Sequence, residues 1–251
     1  MKILTDIQYN SHGQCLDLIL PDGDHFDAVF LYFHGGGLKA GSKNPNAVFA
    51  QYLASHNVAV ATANYRMYPD AKFPDFIEDA ADAVAWVKNH IGEYGACDKI
   101  FVGGSSAGGY LSMMLCFNEA YLEKVGLKPT ELAGYIHDAG QPTAHFNVLV
   151  EHGIDSKRVI VDETAPLYFI GHNGNDCAPM LIIVSDNDIQ NRYEQTILLL
   201  STLKHFAYDF SKIDHIVLNG THCHQVGQVD ENGESVFGKM ILSFIHKTLN
   251  Q

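Results

Sequence analysis

A serine flanked by glycines is the residue of this sequence best suited to act as a nucleophile. The stretch Gly104-Ser-Ser-Ala-Gly108 contains the pattern G-x-S-x-G with Ser106 at its centre. A serine on a sharp turn between a strand and a helix needs small residues two positions before and after it, because larger side chains would collide there. An apolar strand pattern, 99–103, precedes the turn and an apolar helical pattern follows it. This setting predicts Ser106 as the nucleophile. It excludes Ser105, since Ala107 occupies the glycine position that Ser105 would need.

A second glycine-rich stretch, His34-Gly35-Gly36-Gly37, directly follows the apolar strand pattern 27–33. Consecutive glycines let main-chain N–H groups approach a negative oxygen without obstruction by Cβ atoms. A flexible loop is the alternative interpretation. The position immediately after a core strand favours an oxyanion-binding loop.

Together these motifs resemble the hormone-sensitive-lipase-like branch of the α/β-hydrolases and the related small bacterial carboxylesterases. Residues 64–74, NYRMYPDAKFP, are similar to the Y-R-x-x-P-E-x-x-F-P segment of that family. The resemblance is strongest over 27–115. It implies an oxyanion hole made by the N–H groups of Gly36, Gly37 and Ala107, and hydrolysis of an ester through an acyl-enzyme.

The sequence departs from this family in two ways. Ser105 stands where the family commonly has aspartate before the nucleophile. Only about 26 residues precede the first predicted core strand, so the long N-terminal helical cap of many members is not expected here. Substrate size therefore cannot be inferred from the resemblance.

The acid of a Ser-His-Asp triad is expected after the strand pattern 180–184, because the order in this fold is nucleophile, acid, histidine. Ser185-Asp-Asn-Asp188 follows that strand, and the family places its acid at the end of a G-x-x-D turn, with Ser185 in the glycine position. This favours Asp188, with Asp186 as the alternative.

Two histidines compete for the role of base after the strand pattern 213–218. In Gly220-Thr-His-Cys-His224, His222 follows a glycine closely and precedes the small Cys223, as in the family. We therefore predict His222, and His224 remains the alternative. A zinc site at this His-Cys-His stretch is disfavoured because no second Cys/His cluster supplies the further ligands that zinc needs. No metal and no cofactor are predicted.

Strand and helix patterns alternate along most of the chain. This predicts one α/β-hydrolase domain over 1–251, with a mostly parallel sheet covered by helices on both faces. Residues 15–20 are predicted as an antiparallel edge strand. Residues 141–177 do not follow the alternation and are predicted to form a small cap-like insertion. The other predicted strands are 27–33, 58–64, 99–103, 132–136, 180–184 and 213–218, and the predicted helices are 45–56, 74–91, 107–119, 192–206 and 235–249.

Composition limits the partners. The formal net charge is −13 and the 16 basic residues are scattered, which argues against nucleic acid and anionic membranes as partners. The N-terminus has no apolar stretch long enough for a secretory signal, and the five cysteines form no C-x-x-C pair, so a cytoplasmic location is expected. Export through an unseen or removed signal is the alternative. A small-molecule ester is the predicted partner, and a homodimer is compatible with this composition.

The sequence thus predicts a serine carboxylesterase for short acyl groups, since an insertion of about 35 residues encloses only a modest pocket. Alternatives on the same fold are a deacetylase or feruloyl esterase of acylated sugars, an arylformamidase, a peptidase and a thioesterase. A catalytically silent protein that binds a small ligand is the non-enzymatic alternative. That alternative predicts an incomplete triad.

Overall fold

A computed structural model describes residues 1–250, in which eight strands form one sheet in the order β1-β2-β4-β3-β5-β6-β7-β8. β1 and β4 each pair with β2 in the antiparallel direction, and all other neighbours are parallel. The strands β3 to β7 are buried along their whole length, as expected for parallel strands covered on both faces. The strands are β1 (Lys2–Gln8), β2 (Cys15–Leu20), β3 (Ala28–Phe33), β4 (Val58–Ala63), β5 (Ile100–Ser105), β6 (Gly134–Asp138), β7 (Met180–Ser185) and β8 (Ile213–Leu218).

Helices cover both faces of this sheet, and the sheet separates the core into two large clusters. One cluster contains the buried residues of α2, α3 and α7, and the other contains those of α1 and α8. The predicted fold class is confirmed by this arrangement. The helices are α1 (Val48–Ser55), α2 (Asp75–His90), α3 (Ala107–Phe117), α4 (Glu119–Glu123), α5 (Phe146–Glu151), α6 (Pro166–Phe169), α7 (Arg192–His205) and α8 (Val236–Leu249).

The structure corrects the sequence prediction at one edge of the sheet, in one core strand and in one helix. β2 is antiparallel as predicted, but β1 lies outside it, so β2 is not an edge strand. β6 ends at Asp138, two residues beyond the predicted 136, and this extension carries a carboxylate to the end of the strand. The predicted helix 107–119 ends at Phe117, and the separate helix α4 follows it.

Parallel strands bring their carboxyl ends to the same edge of the sheet, and the candidate residues follow those ends. Ser106 comes directly after β5, Asp188 three residues after β7, and His222 four residues after β8. Residues 141–177 follow β6 and contain only the short helices α5 and α6. Side-chain hydrogen bonds join them to the rest of the molecule, among them Tyr68 to Glu151 at 2.5 Å.

Candidate active site

Ser106 lies on a strained turn between β5 and α3. Its φ is +56° and its ψ is −111°, a left-handed conformation that costs a non-glycine residue about 1–3 kcal/mol. A Cβ on Gly108 would overlap the main-chain oxygen of Phe33, and one on Gly104 would lie 2.5 Å from that same oxygen. The N–H of Ser106 donates to the main-chain oxygen of Asp138 at 2.8 Å. The glycines of the G-x-S-x-G pattern are therefore required by close backbone packing.

His222 links Ser106 to Asp188. Its Nε2 lies 2.8 Å from Ser106 Oγ, and its Nδ1 lies 2.5 Å from Asp188 Oδ1. The Asp188 side chain is fully buried and also accepts a hydrogen bond from the N–H of Ile189 at 2.7 Å. In a neutral imidazole that donates from Nδ1 to the carboxylate, Nε2 is free to accept the proton of the serine hydroxyl. The three residues form a continuous hydrogen-bonded chain, an arrangement in which a base can activate a serine hydroxyl.

The two alternative residues have other partners. Asp186 accepts hydrogen bonds from the N–H of Gly220 at 3.0 Å and from Asn219 Nδ2 at 3.2 Å, so its carboxylate stabilises the turn after β8. His224 Nδ1 lies 2.7 Å from the main-chain oxygen of Thr221, and its ring lies against Gly220. Neither side chain hydrogen-bonds to Ser106 or to His222.

The loop after β3 runs beside Ser106. A Cβ on Gly35 would lie 3.3 Å from Ser106 Cβ, and Gly36 and Gly37 have φ values of +115° and +65°. The N–H groups of Gly36, Gly37 and Ala107 donate no hydrogen bond to any acceptor within residues 1–250. Asn147 Nδ2 donates to the main-chain oxygen of Gly37 at 2.5 Å and so supports the loop from α5.

Sequence reasoning missed a buried carboxylate under this site. Asp138 is fully buried and accepts hydrogen bonds from Ser105 Oγ and from Gln225 Nε2, both at 2.5 Å. It therefore connects the turn of Ser106 to the segment that carries His222. Burial raises the pKa of Asp138 to about 6, although both hydrogen bonds act to lower it. The available signal was an aspartate at the end of an apolar strand, together with a serine where the family commonly has aspartate.

A cleft of about 640 Å³ adjoins the site on the side of Asp188. Segment 141–159 forms one wall, and residues 189–195, at the start of α7, form the other. Arg192 lies at its base with 3% of its surface exposed, and Phe146 lies where the cleft approaches Gly37. The lining of the cleft does not include Ser106, His222 or Asp188, and it meets the candidate triad through Ile189, the residue after Asp188.

Residues 1–250 contain neither a cluster of metal ligands nor a helix that could span a membrane. No three His, Cys, Asp or Glu side chains in that range converge as metal ligands. None of its helices combines the length and the apolar character needed to cross a membrane.

Comparison with known proteins identifies first the fold and then the family. A crystal structure of esterase B from Lactobacillus rhamnosis covers the whole chain at 19% identity, with a TM-score of 0.79 and 86% of the other chain aligned. A truncated carbohydrate esterase from gut microbiota aligns over the whole chain and 97% of its own, at 19% identity and a TM-score of 0.78. The fold is that of the α/β-hydrolases. The family model BD-FAE, which describes an α/β-hydrolase esterase family, matches residues 16–203, so the chain belongs to the BD-FAE family.

Curated relatives match a part of the chain. A probable isoprenylcysteine alpha-carbonyl methylesterase of Arabidopsis thaliana is 30% identical over 128 residues, which is 50% of this chain and 30% of the plant protein. A probable carboxylic ester hydrolase of Mycobacterium tuberculosis, LipM, is 37% identical over 116 residues, 43% of this chain and 27% of its own. The chain thus matches less than a third of the length of each of these relatives.

Proposed function

We propose that this protein is a carboxylic ester hydrolase in which Ser106, His222 and Asp188 form the catalytic triad. The observation that carries the proposal is the continuous hydrogen-bonded chain from Ser106 Oγ through both nitrogens of His222 to a buried Asp188. Membership of an esterase family and relatives named as ester hydrolases support the same reaction. The silent ligand-binding alternative predicts an incomplete triad, and this chain has all three residue types in hydrogen-bonding contact.

In this mechanism His222 removes the hydroxyl proton as Ser106 Oγ attacks the acyl carbonyl carbon. Asp188 keeps the imidazole oriented and stabilises its positive charge. The tetrahedral oxyanion forms near the unused N–H groups of Gly36, Gly37 and Ala107, and each such donor contributes about 3 kcal/mol to lowering the barrier. His222 then protonates the leaving alcohol, and water attacks the acyl-enzyme with His222 again acting as base.

The substrate is proposed to be a small ester with a short acyl group. Segment 141–177 acts as a small cap, because Asn147 bonds the Gly37 carbonyl and Phe146 lines the adjoining cleft. A cleft of about 640 Å³ fits a small-molecule ligand.

The proposal is tested by activity and by covalent labelling. The purified protein is assayed with p-nitrophenyl esters of increasing acyl length, with acetylated sugars and N-formylkynurenine alongside. We expect hydrolysis of short esters, and a loss of about 10⁴-fold or more in kcat for Ser106→Ala. A fluorophosphonate probe should label Ser106 in the wild type and in Ser105→Ala, as mapped by peptide mass spectrometry. Label on Ser105, or no label in an active preparation, contradicts the assignment.

A further inference from the structure

The cleft beside the site is positively charged in a protein that is otherwise acidic. Three cationic side chains line it, Lys157, Arg158 and Arg192, against the single carboxylate of Glu194. The chain as a whole has a formal net charge of −13. The local excess of cations is therefore not a property of the surface in general.

Arg192 at the base of the cleft is buried without a carboxylate in direct contact. Its guanidinium donates to the main-chain oxygen of Ala139 and, at 3.2 Å, to Gln141 Oε1, but no carboxylate oxygen within residues 1–250 lies within 4 Å of it. Burial lowers the pKa of Arg192 to about 10, and the charge of Asp188, which lies beyond 4 Å, offsets part of this shift. The side chain therefore remains a cation at neutral pH. A buried cation without a close counter-ion destabilises the empty site, and an anion that enters the cleft relieves this cost.

Lys157 and Arg158 stand at the rim of the cleft. Both are exposed, and neither forms an ion pair with a carboxylate among residues 1–250. Exposed cations near a cleft attract anions from solution, and this attraction weakens as salt is added. The rim and the base of the cleft therefore act on a ligand in the same direction.

The cleft also lies next to two elements of the candidate active site. Ile189, which lines it, directly follows Asp188, whose carboxylate holds His222. Phe146 lies on the opposite side, where its ring comes within 3.2 Å of a Cβ built on Gly37. The cleft thus borders both the residue that follows the acid of the candidate triad and the glycine loop beside Ser106.

We propose that this cleft binds a carboxylate group of the substrate, so that the protein prefers esters whose acyl or alcohol part carries a negative charge. The inference rests on the proposed ester hydrolysis and adds its substrate class. Arg192 provides the charge-assisted hydrogen bonds at the base, and the rim cations add a weaker, longer-range attraction.

The test compares matched pairs of esters in which a carboxylate is replaced by a neutral carboxamide. Ethyl hydrogen succinate against ethyl succinamate places the charge on the acyl side. O-acetylglycolate against O-acetylglycolamide places it on the alcohol side. We expect kcat/KM for the carboxylate to exceed that for the carboxamide by about tenfold or more in one pair, since hydrogen bonds to charged groups have that strength.

Substitutions of the cleft arginines test whether these side chains bind the substrate carboxylate or only support the structure. Arg192→Gln should bring the carboxylate-to-carboxamide ratio close to one, and Arg158→Gln should lower it by about two- to threefold. Lys204→Gln is the matched control, because it removes an exposed cation roughly 18 Å along the same helix. The control should keep the wild-type ratio.

Three outcomes overturn the inference. A wild-type ratio of one or less in both pairs, with the carboxamide esters hydrolysed, removes the substrate class and leaves the esterase proposal intact. An equal loss on both members of a pair in Arg192→Gln, with the ratio unchanged, makes Arg192 a structural residue. Failure to hydrolyse any ester, in these pairs or in the p-nitrophenyl series, overturns the proposed function itself.

Discussion

Two buried carboxylates lie after neighbouring parallel strands, Asp138 at the end of β6 and Asp188 just beyond β7. Asp188 accepts hydrogen bonds from the imidazole of His222 and from a main-chain N–H. Asp138 accepts them from the hydroxyl of Ser105 and the amide of Gln225. A carboxylate that faces an imidazole can stabilise its charge during proton transfer, whereas one that faces a hydroxyl and an amide holds the surrounding chain. The donors that each carboxylate faces, rather than burial or position at the sheet edge, distinguish the two.

The largest loss of activity is expected for substitution of His222. Contact with this imidazole is what distinguishes Asp188 from Asp138. His222→Ala removes the base and should lower kcat/KM for a short ester by about 10⁴-fold or more. His224→Ala should keep most of the activity, because its ring contacts Thr221 and Gly220 and not Ser106. Initial rates for both variants across pH give the measurement. An inactive His224→Ala beside a normal His222→Ala transfers the role of base to His224.

The second-largest loss of activity is expected at Asp188, whose carboxylate contacts the imidazole of His222. Asp188→Asn should lower kcat by about 10³- to 10⁴-fold, because an amide cannot fix the imidazole tautomer or stabilise its charge. Asp186→Asn is the matched control, since its side chain bonds only the turn at Asn219 and Gly220. It should cost far less activity. The reverse order in kinetic assays contradicts the assignment of Asp188.

Asp138→Asn is expected to have the smallest effect on turnover. Its effect on the stability of the fold should be clear. In Asp138→Asn the new amide can donate to Ser105 Oγ and still accept from Gln225, because a hydroxyl can reverse its role. Most of the activity should therefore remain. A loss of activity as large as that of Asp188→Asn would show that the two carboxylates share one role and would break the comparison.

The contribution of Asp138 to the free energy of unfolding should depend on pH. The pKa of Asp138 is raised by burial to about 6, above its ordinary value of 3.8, so the folded protein holds this proton more tightly than the unfolded chain does. Its contribution is fully present below pH 3.8 and is lost as the pH rises through about 6, with a slope of up to about 1.4 kcal/mol per pH unit. Urea unfolding between pH 4 and 7 should lack this component in Asp138→Asn. An unchanged pH dependence would place the titration elsewhere.

Several parts of the fold and of the candidate site could be predicted from the sequence. The mostly parallel sheet was predictable because β4 and β7 are continuous apolar runs between helical patterns. Strand β1 was missed because its residues are mostly exposed and its register shifts between Leu4 and Ile7, so no alternation of apolar and polar residues is maintained. The turn around Ser106 could be predicted because steric contacts with Phe33 demand glycine there, and such a demand is visible in the sequence.

The residues around the candidate triad were less predictable. Asp138 lay beyond the predicted end of its strand, and its partners Ser105 and Gln225 are 33 and 87 residues away along the chain. Helices α5 and α6 have six and four residues, too few to show helical periodicity. Arg192 sits at the start of a correctly predicted helix, but its burial depends on Ala139 and Gln141, contacts that no local pattern reveals.

The hydrogen bond between Ser106 and His222 joins residues 116 apart in sequence, and it has a consequence for folding kinetics. The entropic cost of closing such a long loop grows only slowly with its length, so it affects stability little. Its effect on rate is larger, because long-range contacts in parallel sheets form slowly. Because His222 follows β8, its imidazole is held beside Ser106 only when β7 is paired with β6 and β8 with β7. We therefore expect the recovery of the proposed hydrolysis after dilution from denaturant to report the pairing of these strands.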